Sequence, residues 1–298
     1  MLDQLQGLHV ETTNMCTLKC PKCARTEFIK QFPRAWKNVN LNLEHFKQFI
    51  DINLTGKRIY LCGNYGDAIY YDRLFDLIDY VKGLGAYVEL ATNGSYRDHH
   101  WWLELAQRLT DSDSVIFGID GTPNNFTKYR VNADWDSVLV GLETISNSTA
   151  TAVWQYIPFN YNENDIDATK QLAKNIGVDK FVVFPSYRWD GNDDPLKPTI
   201  TNNKTESRLV WSGSNQIDAE CKRTNHEHYI SANGFYAPCC YVVDHRFYYK
   251  SEFFKNKDMY DISKNTLSQI LTRRQSIDFY NSIEDAKLNY CTFNCPKL

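Results

Sequence analysis

The sequence predicts an α/β protein built on parallel strands, and three observations carry that expectation. Short runs rich in β-branched and aromatic residues alternate with amphipathic helical patterns from the amino terminus to about Pro185. Each run is bounded by Gly, Asn or Asp. The unusual polar segments all follow a strand, at the edge where βα loops converge and ligands bind in parallel folds.

In chain order the strands are expected at GLHVETT (Gly7 to Thr13), KRIYLC (Lys57 to Cys62), YVELAT (Tyr87 to Thr92), SVIFGI (Ser114 to Ile119), AVWQYIPF (Ala152 to Phe159) and KFVVFP (Lys180 to Pro185). Helical patterns fall between them: LNLEHFKQFIDI, DRLFDLIDYVKGLG, HHWWLELAQRLT, WDSVLVGLETIS and DIDATKQLAKNIG. In the second of these, Leu74, Leu77, Ile78 and Val81 share one face and Gly83 or Gly85 ends the helix. Alternation this strict calls for right-handed βαβ crossovers, and six such units suffice to curl into an open barrel. The texture changes at SYRWDGNDDPLKPTITNNKTES, whose Asn, Asp, Pro and Thr read as a linker. The boundary falls around Arg188 to Ser207, dividing residues 1–195 from a second region, 196–298.

Composition narrows the function classes. At 298 residues the chain can bury a full-sized core. A formal charge of -3 gives no basic surface for nucleic acid or an anionic membrane. The start, MLDQLQGLHVETTN, lacks the basic and apolar regions of a signal peptide, and no apolar run has membrane-helix length. A cytoplasmic, reducing location is therefore expected, where the nine cysteines serve metal or chemistry in preference to disulfides. They fall in two groups: Cys16, Cys20 and Cys23 near the start, then Cys221, Cys239, Cys240, Cys291 and Cys295, with Cys62 alone between.

Cys16, Cys20 and Cys23 supply three thiols directly after the first strand, with no fourth ligand in the loop; the next histidine after it is His45. Structural zinc is normally closed by four ligands, whereas an iron–sulfur cube on three thiolates keeps one iron open to a small molecule. Pro21 stiffens the loop, and Lys19, Lys22 and Arg25 are expected to favour thiolates. A chance cluster or a partial zinc site is the competing explanation. Beyond this triplet, GNYGD (Gly63 to Asp67), TNG (Thr92 to Gly94), Asp120, NYNEN (Asn160 to Asn164) and SYRWD each follow a strand. Taken singly, Asp67, Asn93 and Asp120 fit ordinary turn chemistry equally well.

CTLKCPKCAR, with Cys16-x3-Cys20-x2-Cys23 after the first strand, resembles the signature of the radical S-adenosylmethionine (SAM) enzymes, in particular the subgroup with a SPASM or shorter Twitch auxiliary-cluster domain. LCGNYGD stands where that family has the loop that contacts the SAM amino group; TNG, GIDG and Gln155 to Glu163 resemble its later SAM-contacting strand ends. The resemblance implies a partial (β/α)6 radical SAM barrel followed by a small C-terminal Twitch-like auxiliary iron–sulfur domain. It implies a [4Fe–4S] cluster on Cys16, Cys20 and Cys23 that binds SAM and, on taking one electron, cleaves it to methionine and a 5′-deoxyadenosyl radical. By the same resemblance Gly63, Asn64, Gly66, Asp67, Thr92, Asn93, Asp120, Arg130 and Gln155 are candidate SAM contacts. Asn64 or Asp67 would face the ammonium, Asp120 a ribose hydroxyl and Arg130 the carboxylate. Lys22 departs from the pattern, since the family often has an aromatic residue before the third cysteine.

Cys221 and Gly234-x4-Cys239 resemble the opening of a Twitch domain, with Asn233-Gly234 as a hairpin turn. Cys221, Cys239, Cys291 and Cys295 would close one auxiliary [4Fe–4S] cluster. In a strand the adjacent Cys239 and Cys240 point to opposite faces, so only one is a ligand, and the spacing favours Cys239. Cys240 and Cys62 read as small buried hydrophobes, with hydrogen-atom donation to a product radical as the sharper alternative. His226 and His228 with Cys221 and Cys239 form a competing zinc set. A fully ligated cluster suits electron transfer, so the expected function is oxidation of a substrate radical: dehydrogenation of a small polar or sugar-like molecule. Alternatives are a peptide- or protein-modifying maturase, for which any peptide-binding domain would be a separate chain, and a non-catalytic zinc-binding scaffold. An electron donor such as flavodoxin or ferredoxin is the implied partner. Tyr187, Arg188 and Trp189 are candidates to cap the barrel, and His9 and Glu11 to face its interior.

Overall fold

The computed structural model describes residues 5–186, 188–191, 193–199, 227–276 and 278. The chain is α/β, as the alternation predicts, and it divides into two compact units. The first gathers residues 5–15, 32–87 and 227–276; the second gathers 16–31 and 88–199.

In the first unit, β1 (Gly7–Val10) pairs in parallel with β2 (Arg58–Leu61) on one side and with β7 (Glu227–Ile230) on the other. A strand flanked on both sides and covered on both faces must be apolar throughout. All four residues of GLHV are buried, and His9, the polar exception, bonds through Nε2 to the Cys62 carbonyl at 2.7 Å. β7 continues into β8 (Tyr236–Ala237) through an antiparallel hairpin. Gly234 sits in that turn at φ 78°, and the Ser231 N–H bonds the Phe235 carbonyl at 2.9 Å, so the Asn-Gly signal marks the hairpin it predicts. α2 (Leu43–Phe49) is capped by the Asn42 side chain, and α3 (Leu74–Gly83) buries Leu74, Leu77, Ile78 and Val81, the face that the periodicity gives. The short helices α7 (His245–Tyr248) and α8 (Glu252–Lys255) follow the hairpin. α9 (Leu267–Thr272) opens on a capping box between Thr266 and Gln269.

The second unit holds β3 (Tyr87–Thr92), β4 (Ser114–Gly118), β5 (Thr151–Tyr156) and β6 (Lys180–Val183), with parallel β3–β4, β4–β5 and β5–β6 ladders. β3, β4 and β5 alternate half-buried and buried residues, the period of two that their sequences carry. α4 (His99–Arg108), α5 (Trp135–Ser146) and α6 (Ile166–Ile176) match the amphipathic segments; Asp98 and Asp134 cap α4 and α5 by accepting from backbone N–H groups. Trp102, Phe117, Trp154 and Tyr156 are fully buried, each contributing roughly 2–3 kcal/mol by burial. α1 (Ala24–Gln31), directly after the third cysteine, was not among the predicted helices; its mixed composition buries only Phe28. Among the described residues no helix is long and apolar enough to cross a membrane.

Candidate functional site

The cysteine loop leaves the first strand and turns into α1. The Cys23 N–H bonds the Cys20 carbonyl at 3.2 Å, and the Cys23 carbonyl accepts the Glu27 N–H at 3.0 Å, so the third cysteine opens the helix. None of Cys16, Cys20 and Cys23 is in a disulfide; Cys20 is buried and the other two are half-buried. All three pack in one apolar group with Leu18, Tyr129, Phe159, Tyr161 and Trp189. Tyr129 stacks on Phe159 at 4.3 Å between ring centroids, and Trp189 meets Phe159 edge-on at 5.9 Å. Asn93, from the TNG segment, donates through Nδ2 to the Cys16 sulfur at 3.6 Å.

The charge around these thiols differs from the expectation. Burial pushes the Cys20 thiol up to about 11, and the guanidinium that opposes this is Arg130. Lys22 is engaged elsewhere: its Nζ lies 2.6 Å from the buried Asp194 carboxylate and 2.5 Å from that of Asp190. Arg25 is bonded to the Leu18 carbonyl at 3.1 Å. The basic residues adjacent in sequence therefore anchor the loop, and a residue over a hundred positions away supplies the charge beside Cys20. Arg188 donates to the Lys22 carbonyl at 3.3 Å; Tyr187 lies outside the described residues.

Asp120 is fully buried. Its Oδ2 accepts from Arg130 Nε at 2.7 Å and its Oδ1 from the Ile157 N–H at 2.9 Å. Burial pushes this carboxyl up, against the pull of Arg130 and the Ile157 N–H. Arg130 lies over the Gly118 backbone, where a Cβ would stand 2.7 Å from its Nη2. One guanidinium thus joins a buried carboxylate to a cysteine of the triplet. Asn162, in NYNEN, is a backbone staple: it accepts from the Phe159 N–H at 2.6 Å and donates to the Asp120 carbonyl at 3.0 Å. Thr92 and Asn93 accept from Gly94 N–H and Ser95 N–H, the turn chemistry their types allow. Gln155 sits half-buried on β5 opposite Gly118 of β4, and its carbonyl accepts the Ile119 N–H at 3.0 Å.

In the first unit, Gly63, Asn64, Gly66 and Asp67 form one tight loop after β2. A Cβ on Gly66 would stand 2.0 Å from the Thr13 carbonyl oxygen, and one on Gly63 would stand 2.5 Å from that of Gly66. Both positions are glycine because backbone occupies the side-chain space. The Asp67 N–H bonds the Met15 carbonyl at 2.9 Å and its side chain caps the following 3-10 turn at Ile69. Asn64 donates to the Cys240 carbonyl at 2.8 Å. Glu11 is buried; its Oε1 accepts the N–H groups of Tyr65 (2.7 Å) and Gly66 (3.3 Å), and its Oε2 accepts the Tyr229 hydroxyl at 2.7 Å. Sequence reasoning offered Glu11 only as a candidate to face the barrel interior. A carboxylate directly after an apolar strand was the signal that it holds structure.

Of the second cysteine group, Cys221, Cys291 and Cys295 lie outside the described residues, as does His226. Cys239 and Cys240 are buried, but not in a strand: β8 ends at Ala237 and both lie in the turn after it, with the Val242 N–H on the Cys239 carbonyl at 3.3 Å. The opposite-face argument for choosing between them therefore does not apply. Cys62 is half-buried, and burial pushes its thiol up to about 12. His228 is buried with Nδ1 on the Tyr236 hydroxyl at 2.5 Å, and burial lowers its pKa to about 3, so it is held neutral within the hairpin. Among the described residues no three His, Cys, Asp or Glu side chains converge on a single-ion position. Three thiols on one loop, none in a disulfide and set in an apolar aromatic group, would suit a cube instead.

No family model and no curated protein matches the sequence. Solved structures do resemble the fold. SuiB of Streptococcus suis bound to S-adenosylmethionine aligns with 86% of this chain at a TM-score of 0.61 and 11% identity. Native anSMEcpe with bound AdoMet and a peptide covers 98% at 0.61 and 13%. These are radical SAM enzymes. The chain shares the fold of these structures. BtrN in complex with AdoMet and 2-DOIA covers 99% of the chain and 94% of its own length, at a TM-score of 0.53 and 13% identity. The chain spans 65% of the length of SuiB and 88% of that of anSMEcpe.

Proposed function

We propose that the chain is a radical SAM oxidoreductase that removes a hydrogen atom from its substrate, after which the substrate radical loses a proton and gives one electron to an auxiliary iron–sulfur cluster. The observation that carries this reading is the cysteine triplet itself: three thiols, none in a disulfide, on one loop of a radical SAM fold, with Asn93 on Cys16 and Arg130 beside Cys20. A [4Fe–4S] cluster held there would supply the electron that cleaves SAM into methionine and a 5′-deoxyadenosyl radical. The protein's own contribution is orientation and dryness. Tyr129, Phe159, Tyr161 and Trp189 exclude water around the thiols. Asp120 fixes Arg130, so that a cation faces Cys20 when it ionises. The Gly63–Asp67 loop presents backbone groups in a fixed shape to the methionine end of SAM.

Residues 1–195 are assigned to the SAM chemistry and 196–298 to the auxiliary cluster, with Cys221, Cys291, Cys295 and one of Cys239 and Cys240 as ligands. Dehydrogenation of a small polar or sugar-like molecule is supported by the end-to-end match with BtrN, solved with AdoMet and 2-DOIA. Modification of a peptide is the second reading, supported by the resemblance to anSMEcpe with a bound peptide and to SuiB with its precursor peptide. An electron donor of the flavodoxin or ferredoxin type, in the cytoplasm, completes the scheme. The test is anaerobic incubation of reduced protein with SAM, followed by mass spectrometry for 5′-deoxyadenosine. Wild-type protein is expected to form it and Cys16→Ala to form none; a wild type that forms none overturns the proposal.

A further inference from the structure

Glu11 is 3% exposed at the end of an apolar strand. Burying a carboxylate costs several kcal/mol unless donors surround it. Here they do. Two loop N–H groups, from Tyr65 and Gly66, share Oε1, the Tyr229 hydroxyl takes Oε2, and the Ala232 N–H adds a fourth donor. Burial raises the Glu11 carboxyl above the ordinary range, and these four bonds pull it back toward the ionised form, which only accepts. The other end of the loop is held from the same strand, since His9 Nε2 donates to the carbonyl of Cys62, the residue before Gly63. The Tyr229 ring stands edge-on to His9 at 4.9 Å, locking the two holders together. Gly63 completes the fit, because a Cβ there would stand 2.9 Å from Glu11 Oε1.

We propose that Glu11 is a positioning residue: its carboxylate holds the Gly63–Asp67 loop in the shape that receives the amino group of SAM, and through Tyr229 it makes that shape depend on β7. The SAM half of this inference rests on the reading of the site given above. A charge-assisted hydrogen bond is strong and directional, so Glu11 fixes where the loop N–H groups point without touching SAM. Because Tyr229 belongs to the hairpin that leads to Cys239, the region carrying the auxiliary cysteines has a direct bond to the residue that shapes the loop.

The test uses the full chain with its iron–sulfur complement and compares wild type with Glu11→Gln and Tyr229→Phe. Hydrogen exchange at the Tyr65 and Gly66 amides is expected to rise roughly tenfold to a hundredfold in Glu11→Gln and by a smaller factor in Tyr229→Phe. Amides of β2 and β3 are expected to be unchanged. The SAM concentration that half-saturates the change in the EPR signal should rise by a similar factor at unchanged iron content. Should Glu11→Gln fail to fold, Tyr229→Phe carries both readouts. Exchange that rises uniformly along the chain, or not at all, overturns the clamp. An unaltered SAM titration in a variant whose loop amides are loosened overturns the link to SAM. A wild type that ignores SAM overturns the functional reading, and exchange alone then decides the clamp.

Discussion

The loop of Cys16–Cys23 and the loop of Gly63–Asp67 both follow a parallel strand, yet they are held in opposite ways. The cysteine loop is anchored between its cysteines: the Lys19 N–H on the Val131 carbonyl at 3.0 Å, Arg25 on the Leu18 carbonyl, Lys22 on two aspartates. Its thiols are set among aromatic rings, with Asn93 donating to Cys16 at 3.6 Å and Arg130 beside Cys20. The glycine loop is gripped at its centre by a buried carboxylate and has no room for a Cβ at either glycine. Under the proposed function, a loop that takes up an inorganic group through strong thiolate bonds can leave the final fit to that group. A loop that must recognise a ligand through its own backbone has to be shaped beforehand, because weak contacts cannot repay the entropy of ordering it.

Three substitutions break or sharpen this contrast. The largest effect is expected from Asp120→Ala, which leaves the Arg130 cation buried without its carboxylate. Breaking such a pair costs about 3–5 kcal/mol, measurable by denaturant unfolding, and iron binding by the triplet should weaken as well. Gly66→Ala should cost about 2–3 kcal/mol, because its methyl would collide with the Thr13 carbonyl. It should abolish the response to SAM while iron content stays at the wild-type level, separating the preformed loop from the cluster-shaped one. Asp194→Asn is the mildest, at about 1–2 kcal/mol at neutral pH. Burial raises the Asp194 carboxyl, but the Lys22 bonds and the Asp190 and Leu196 N–H groups outweigh it and hold it below the ordinary aspartate range. A carboxyl depressed in the folded state stabilises above its unfolded pKa, and that stability is lost as pH falls through the folded value. The gap between wild type and Asp194→Asn should therefore close below about pH 4 in unfolding measurements on iron-free protein.

Local patterns and tertiary pairs differed in how far they could be read in advance. The apolar face of α3, the period-two strands β3 to β5 and the Asn-Gly hairpin were legible because each is a rule about neighbours in sequence. The cysteine spacing was legible for the same reason. Asp120–Arg130 and Lys22–Asp194 were not, since an ion pair closed by a loop leaves no periodic trace at either end. The basic residues near the cysteines were misleading: proximity along the chain suggested that they charge the thiols, whereas Lys22 points to aspartates from the other side of a long loop. Cys239 and Cys240 were placed in a strand that stops at Ala237, a boundary error of three residues that removes the argument built on it. Glu11 stood in plain view, and the cost of burying a lone carboxylate was reason enough to look for its donors.

Mössbauer and EPR spectra of anaerobically purified, reduced protein, recorded with and without SAM, put the cysteine triplet to the sharpest trial. The expected result is a cubane signal that changes when SAM is added, with the SAM-responsive component absent from Cys20→Ala. A protein with no cubane signal, or with one that SAM leaves unaltered, contradicts the proposed chemistry.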